Sequence, residues 1–436
     1  MFRKFYKTLS EWESAPFHKP IMVTGARQVG KTWMIRHFCE NTYRDYIYIN
    51  LEERPDIASI FDGRLDPNAI LTQLGQMLGR VINSDTPIFI DEIQRSERAI
   101  TALKYFCEAP EDYRILCAGS LLGVKLERFE TSFPVGKVSI HQMYPMDFEE
   151  FMIACDETLL RDGIRNAFLN RTHLAEGIHE KALHLYHDYL FTGGMPECIL
   201  DYLHKDKKVL NLDPLIHKNL QLAYLADMTK YVTSAAESVK ITEVYNTVPR
   251  QLANENPKFK YSTVRSGGNK RDFSGPLDWL VSSGMVYRVN ALERPEAPLK
   301  GYEKPTSFKI YMSDVGILTA MCGFHYRDLL SSQHNIYKGG ITENYVMQQF
   351  ASSGHELYYY KPSESMEIDL IYDDGYQIVP IEIKSGRHKR STSLKNYMEK
   401  FHPAYGIRFS ELNFGWSDHL YSIPLYAAFC VCDPDD

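Results

Sequence analysis

Gly25-Ala26-Arg27-Gln28-Val29-Gly30-Lys31-Thr32 follows the apolar run Ile21-Met22-Val23 and leads into Trp33-Met34-Ile35-Arg36, whose pattern suits a helix. A strand, a glycine-flanked loop ending in Lys-Thr and a helix in that order make a phosphate-binding loop. The loop amides converge on phosphate oxygens, and the helix start adds the positive end of its dipole. Lys31 then reaches the β and γ oxygens, and Thr32 offers its hydroxyl to magnesium. The glycines are needed because a Cβ would block the approach of the backbone. All eight residues of the loop are candidate nucleotide contacts, with ATP/ADP and Mg²⁺ as the expected ligands.

Downstream, Pro87-Ile88-Phe89-Ile90-Asp91-Glu92 is a short apolar run closing on two carboxylates. A buried parallel strand that delivers acids to its C-terminal edge reads this way, and ligands of open α/β sheets bind at that edge. Asp91 is the candidate for the magnesium shell, and Glu92 for orienting and deprotonating a water that attacks the γ-phosphate. A third apolar run, Arg114-Ile115-Leu116-Cys117-Ala118, ends at Gly119-Ser120. Ser120 is placed to sense the γ-phosphate, although a serine after a strand is also an ordinary turn residue. Lys31, Glu92 and Ser120 are the catalytic candidates of this part of the chain.

Strand and helix patterns alternate from about residue 20 to 150, and residues 1–150 read as a P-loop domain built on a doubly wound α/β parallel sheet. Residues 151–226 read as a helical lid with a break at Gly193-Gly194-Met195-Pro196. Residues 227–325 suggest a winged helix: helical patterns near 241–253 and 275–283, then strands at 285–289 and 308–311 as a hairpin wing. Within it, residues 258–271 (K-F-K-Y-S-T-V-R-S-G-G-N-K-R) hold five basic residues and no acid. Arg265, Lys270 and Arg271 are candidate contacts to a DNA backbone. A solvated loop or a protein-binding face reads the same way.

The remaining residues, 326–436, hold a second constellation. Met366-Glu367-Ile368-Asp369-Leu370-Ile371-Tyr372 alternates like a half-buried strand, Asp373-Asp374-Gly375 is a hairpin turn, and Q-I-V-P-I-E-I-K-S returns over residues 377–385. The expected register sets Asp369 opposite Pro380 and diagonal to Glu382. Period two puts Asp369, Glu382 and Lys384 on one face. Two carboxylates beside a lysine suit a divalent metal: Asp369 and Glu382 as ligands, Glu343 as a further carboxylate from the helix predicted over 342–350, and Lys384 steadying phosphate charge. E-x-K also arises by chance on exposed sheet faces. Arg387, His388, Lys389 and Arg390 extend a basic run beyond it.

Composition bounds these readings. A chain of 436 residues exceeds the growth of one core, and 44% hydrophobic with 24% charged residues describes a folded protein. A net charge of −7 excludes a global field for nucleic acid, so any such binding is local. The eight cysteines show neither zinc nor disulfide spacing, so free thiols are expected. No segment looks like a signal peptide or spans a bilayer. Residues 423–432, the longest late apolar run, are too short, and a cytoplasmic location with no membrane partner is expected.

Together these residues resemble a known group of bacterial and archaeal AAA+ ATPases that join an archaeal-type P-loop ATPase to a C-terminal domain of unknown function. The similarity spans residues 18–430. It rests on the loop at 25–32, Ile90-Asp91-Glu92-Ile93-Gln94, Ala118-Gly119-Ser120, Phe133-Pro134-Val135-Gly136-Lys137, Tyr144-Pro145-Met146-Asp147-Phe148, Gly193-Gly194-Met195-Pro196-Glu197 and Gly340-Ile341-Thr342-Glu343-Asn344. The tail also looks like the PD-(D/E)xK nuclease fold, which implies Glu343, Asp369 and Glu382 as metal acids and Lys384 as the lysine. Cleavage is not thereby assured, since such folds also serve as scaffolds. Where relatives carry Gly-Arg this chain has Gly136-Lys137, and lysine lacks the planar bidentate fork of an arginine finger. Arg128 is a substitute, acting between subunits if the chain self-associates. Two functions follow as expectations: an ATP-hydrolysing enzyme joined to DNA, or a nucleotide switch whose nuclease-like domain does not cut.

Overall fold

Strands of four residues without polar alternation are stable only when both faces are covered. Ile21–Thr24 (β1), Ile88–Asp91 (β3) and Ile115–Ala118 (β4) are buried at every position. With Ile47–Asn50 (β2) and Ser139–Gln142 (β5) they form a five-stranded sheet, order β2-β3-β4-β1-β5, in which every pairing is parallel. This computed structural model describes residues 1–120, 133–230, 234–254, 258–330, 336–363, 366–387, 392–417 and 419–433. They form two compact units, Met1–Tyr144 with Ser282–Gly284, and Pro145–Val281 with Met285–Asp436.

Helices Pro67–Leu78 and Glu97–Glu108 begin where the sequence caps them. Asp66 and Ser96 each accept the amide three residues on. Their apolar stripes meet Ile49, Ile90 and Ile115 in one core. The strand order reverses at β1, whose other neighbours are β4 and β5, so the loop after β1 emerges at the switch point of the sheet.

The second unit begins with helices. The segment expected as a lid is helical over Phe148–Ala154, Thr158–Leu169, Glu176–Thr192, Pro196–His204 and Pro214–Lys230. Its glycine break serves packing. A Cβ on Gly193 would lie 2.3 Å from the Asp314 carboxylate, and one on Gly194 would lie 2.0 Å from the Met146 carbonyl. Asp314, buried, accepts the amides of Gly194 (2.6 Å) and Ile317 (2.9 Å).

Eight strands close this unit: Val286–Leu292 (β6), Glu303–Met312 (β7), Tyr358–Ser363 (β8), Met366–Asp373 (β9), Ile378–Ile383 (β10), Gly406–Ser410 (β11), Gly415–Trp416 (β12) and Leu420–Pro424 (β13). Their order is β12-β13-β11-β10-β9-β8-β6-β7, a mixed sheet. The strands read as a wing do pair as a hairpin, β6 with β7, but β6 also pairs in parallel with β8. Its mostly buried residues need a second neighbour, so residues 227–325 and 326–436, read as two domains, share one sheet. Helix Ile336–Ser352 is sewn to β7 by Asn344, whose side chain accepts the Met312 amide (2.7 Å) and donates to the Met312 carbonyl (3.0 Å).

The β9–β10 register differs from expectation. Pro380 faces Ile371, not Asp369, and beyond the last pair, Leu370–Ile381, the Asp369 side chain accepts the Ile383 amide. The loop is longer than a tight D-D-G turn. Asp374 accepts the amides of Tyr376 and Gln377, and Asp373 accepts that of Gly375. These side-chain bonds hold a four-residue loop between Asp373 and Ile378 and move the pairing by two residues, which preserves the faces.

The eight cysteines carry free thiols. Among the described residues no helix is long and apolar enough to cross a membrane.

Candidate nucleotide site and an acidic sheet face

Gly30 caps helix Lys31–Thr42 in the left-handed region, φ 98°, which a residue with a Cβ resists. Gly25 has φ 131°, and a Cβ there would stand 2.1 Å from the Met143 carbonyl oxygen. The loop therefore takes a shape that its glycines permit and β-substituted residues would not. Arg3, far away in sequence, braces it by donating to the Val29 carbonyl (2.8 Å) and the Tyr144 carbonyl (2.7 Å). An arginine among the basic residues of an amino terminus gives no sign of such a role.

Lys31 is 7% exposed, and its Nζ donates to the carbonyls of Gly25 and Ala26, both at 2.8 Å. The ammonium is thus held inside the curl of the loop, where phosphate oxygens are to be met. Thr32 Oγ1 donates to Asp91 Oδ2 at 2.8 Å, and Tyr48 donates to the same oxygen at 3.3 Å. β3 carries Asp91 to the strand end beside the loop, as read from the sequence. A hydroxyl and a buried carboxylate in contact supply two oxygens, the hard donors magnesium takes, so these residues fit that ion. Tyr48 is the addition that sequence did not indicate.

Glu92 adopts a left-handed backbone, φ 51°, and accepts a short hydrogen bond from Gln94. Burial, and then the neighbouring Asp91 charge, push its carboxyl above the usual range, against the Gln94 bond and Lys31. A raised carboxylate is a stronger base, which suits water activation. Ser120 is buried just beyond β4, where the Gly119 amide bonds the Val23 carbonyl of β1 (3.3 Å). Lys137 pairs with Glu108 at 3.0 Å in an exposed bridge. Arg128 lies outside the described residues, as do His388, Lys389 and Arg390.

In the second unit the sheet brings Asp369, Glu382 and Lys384 to one face. Lys384 contacts Glu382 Oε1 at 2.5 Å, and Asp369 Oδ2 accepts the Ile383 amide at 2.8 Å. Glu382 is 3% exposed, and its Oε2 has no hydrogen-bond partner among the described residues. Arg408, on β11, stands opposite Glu382 in the register. Glu343 acts electrostatically on both Asp369 and Lys384, but its own oxygen takes the Tyr311 hydroxyl at 2.8 Å.

One residue here had no sequence signal. Lys309 on β7 is 1% exposed, and its Nζ lies 2.7 Å from Glu367 Oε1 and 3.5 Å from Glu343 Oε2. Burial alone would lower its pKa, yet Glu343, Tyr311, Glu367 and Asp369 outweigh that and hold it well above the ordinary lysine range. The ammonium is charged and enclosed by acids. Among the described residues no three or more His, Cys, Asp or Glu side chains group as a metal cage. The acids around Lys309 already hold a cation, so they do not fit a divalent metal as built.

Burial, then the Glu343 charge, push the Asp369 carboxyl up to about 8, against Lys309 and Lys384. The folded state thus binds this proton more tightly than the unfolded chain. Its stabilisation is complete below the ordinary aspartate value of 3.8 and is lost as pH rises towards about 8. The urea midpoint of the wild type is expected to fall against that of Asp369→Asn across this window and to level off above it. Parallel midpoints from pH 4 to 9 would remove the assignment.

Residues 258–271 lie on a short helix, Tyr261–Val264, and the start of helix Lys270–Ser282. Lys270 and Arg271 are exposed, whereas Arg265 pairs with Glu243 at 2.6 Å.

Comparisons with known proteins fall on these segments. Residues 17–152 match the family model described as an AAA domain. Residues 183–328 match a domain of unknown function (DUF8612), and residues 338–427 another (DUF4143). No curated protein matches the chain. Among solved structures, a Walker-type ATPase of Pyrococcus abyssi is 15% identical, covering 73% of this chain and 95% of its own at a TM-score of 0.43. The ORC2 protein of Aeropyrum pernix, solved in ADPNP–ADP complexes, is 12% identical, with 75% and 93% covered at a TM-score of 0.37. Phosphate loop, acidic strand end and parallel sheet agree with the AAA-domain match over residues 17–152.

Proposed function

We propose that this chain hydrolyses ATP with magnesium and couples the reaction to DNA association. Lys31 binds the β and γ oxygens, and Thr32 with Asp91 would hold a magnesium ion, which would supply charge neutralisation at the phosphates. Glu92 orients and deprotonates the attacking water, and Ser120 senses the γ-phosphate. The observation that carries the reading is the Thr32–Asp91 contact at 2.8 Å beside the loop-bound ammonium of Lys31. Magnesium-dependent phosphate release by the purified chain tests it, with Lys31→Ala as the control. An arginine or lysine from a second copy would complete the charge around the γ-phosphate, with Arg128 the candidate.

DNA association is assigned to residues 258–271, with Lys270 and Arg271 as phosphate contacts. Lys270→Glu with Arg271→Glu is expected to weaken duplex binding and reduce the slope of log K against log salt by about 0.9 for each phosphate no longer neutralised. An unchanged slope would remove the patch from the interface.

For the C-terminal sheet, the engagement of Glu343 by Tyr311 and Lys309 favours the reading in which the nuclease-like domain grips rather than cuts. Plasmid DNA incubated with the chain and Mg²⁺ or Mn²⁺ is then expected to stay intact. Cleavage that disappears in both Asp369→Ala and Lys384→Ala would restore the enzyme reading.

A further inference from the structure

An ammonium group at 1% exposure is costly to desolvate unless surrounding charge compensates. Lys309 is compensated from two elements: Glu367 on β9 at 2.7 Å and Glu343 on helix Ile336–Ser352 at 3.5 Å. Glu367 is shared with Lys361 at 2.7 Å, and the Lys309 ammonium also lies 5.1 Å from the centre of the Tyr359 ring. On the next strand, Glu382 is matched by Lys384 at 2.5 Å. Of the three acids that a divalent cation would need, Glu343 and Glu382 are therefore already faced by a basic side chain of this chain, and Asp369 accepts the Ile383 amide within the field of Lys309 and Lys384.

We infer that the ammonium of Lys309 is the resident cation of this acidic sheet face, which holds its carboxylates together without a divalent metal. Of the acids that resemble a metal-ligand set, Glu343 is in this chain a counter-ion of buried Lys309, and Glu382 is the counter-ion of Lys384. Tethered and enclosed, the lysine cannot be removed by a chelator. The face therefore keeps its form in the absence of metal, and a free divalent cation has to compete with a charge that cannot leave. This inference deepens the non-cleaving reading of the C-terminal sheet and rests on it.

Electron paramagnetic resonance of Mn²⁺, titrated into the nucleotide-free full-length chain, tests it. The wild type is expected to take up no Mn²⁺ that Asp369→Asn removes, and EDTA is expected to leave its melting temperature unchanged. Lys309→Met, which keeps the bulk and deletes the charge, is expected to bind Mn²⁺ at least ~tenfold more tightly than the wild type, since a unit charge a few ångströms away has gone. That gain should vanish in Lys309→Met with Asp369→Asn. Should Lys309→Met not fold, its rescue by Mn²⁺ or by an added Glu367→Gln supports the inference, and failure of both rescues overturns it. A wild-type Mn²⁺ site that Asp369→Asn abolishes also overturns it, as does a folded Lys309→Met that gains none. A sheet that binds no metal yet cuts DNA would sink the non-cleaving reading alone. One that binds Mn²⁺ through Asp369 without cutting would sink this inference alone.

Discussion

Lys31→Ala is expected to lower kcat/KM for ATP hydrolysis by about 10²–10³-fold or more, the scale of losing one preorganised group at developing charge. The expectation follows from where the ammonium sits. It is almost fully buried and bonded to the Gly25 and Ala26 carbonyls, so its position is set before any phosphate arrives. Alanine removes the charge that meets the β and γ oxygens and leaves two loop carbonyls without that donor. Nucleotide affinity is therefore expected to fall together with turnover. Calorimetric ATP binding and steady-state phosphate release on the same preparation read both quantities. Undiminished hydrolysis in the variant would remove the proposed site.

Glu92→Gln separates chemistry from binding. The amide preserves the shape of the side chain but cannot take a proton from water, so kcat is expected to fall by about 10²–10⁴-fold. ATP affinity should stay close to that of the wild type, because the proposed site takes its phosphate contacts from residues 25–32 and its metal contacts from Thr32 and Asp91. The wild-type rate should also show an acid limb above the usual carboxylate range. Burial and the Asp91 charge raise the Glu92 carboxyl, and it must be deprotonated to act. A Gln variant with normal turnover would move the base to another residue.

The candidate nucleotide site was legible because its determinants are local. Gly25, Gly30, Lys31 and Thr32 lie within eight residues, and the backbone shape they need is imposed by glycine conformations and a helix start. Asp91 and Glu92 could be placed because an apolar run of four residues in a parallel sheet has one exit edge. Arg3 and Tyr48 were not legible, since bracing the loop from Val29 and Tyr144 or donating to Asp91 depends on contacts across the fold. The motif at 193–197 was visible but its purpose was not. Its glycines answer to Asp314 and Met146, far along the chain.

The acidic face marks the boundary more sharply. Alternation along β9 and β10 places Asp369, Glu382 and Lys384 on one side, because side chains in a strand alternate whatever its partners are. The pairing itself depended on the loop, where Asp373 and Asp374 bind amides and shift the register by two residues, setting Pro380 opposite Ile371. No periodicity announces Lys309, which reaches Glu367 from β7 only because β6 pairs with β8 and joins the supposed wing to the C-terminal strands. The chemistry of individual segments is written in short stretches of residues, through backbone freedom and side-chain alternation. Which charges neutralise which is a matter of distance between segments remote in sequence, and that distance exists only once the chain has folded.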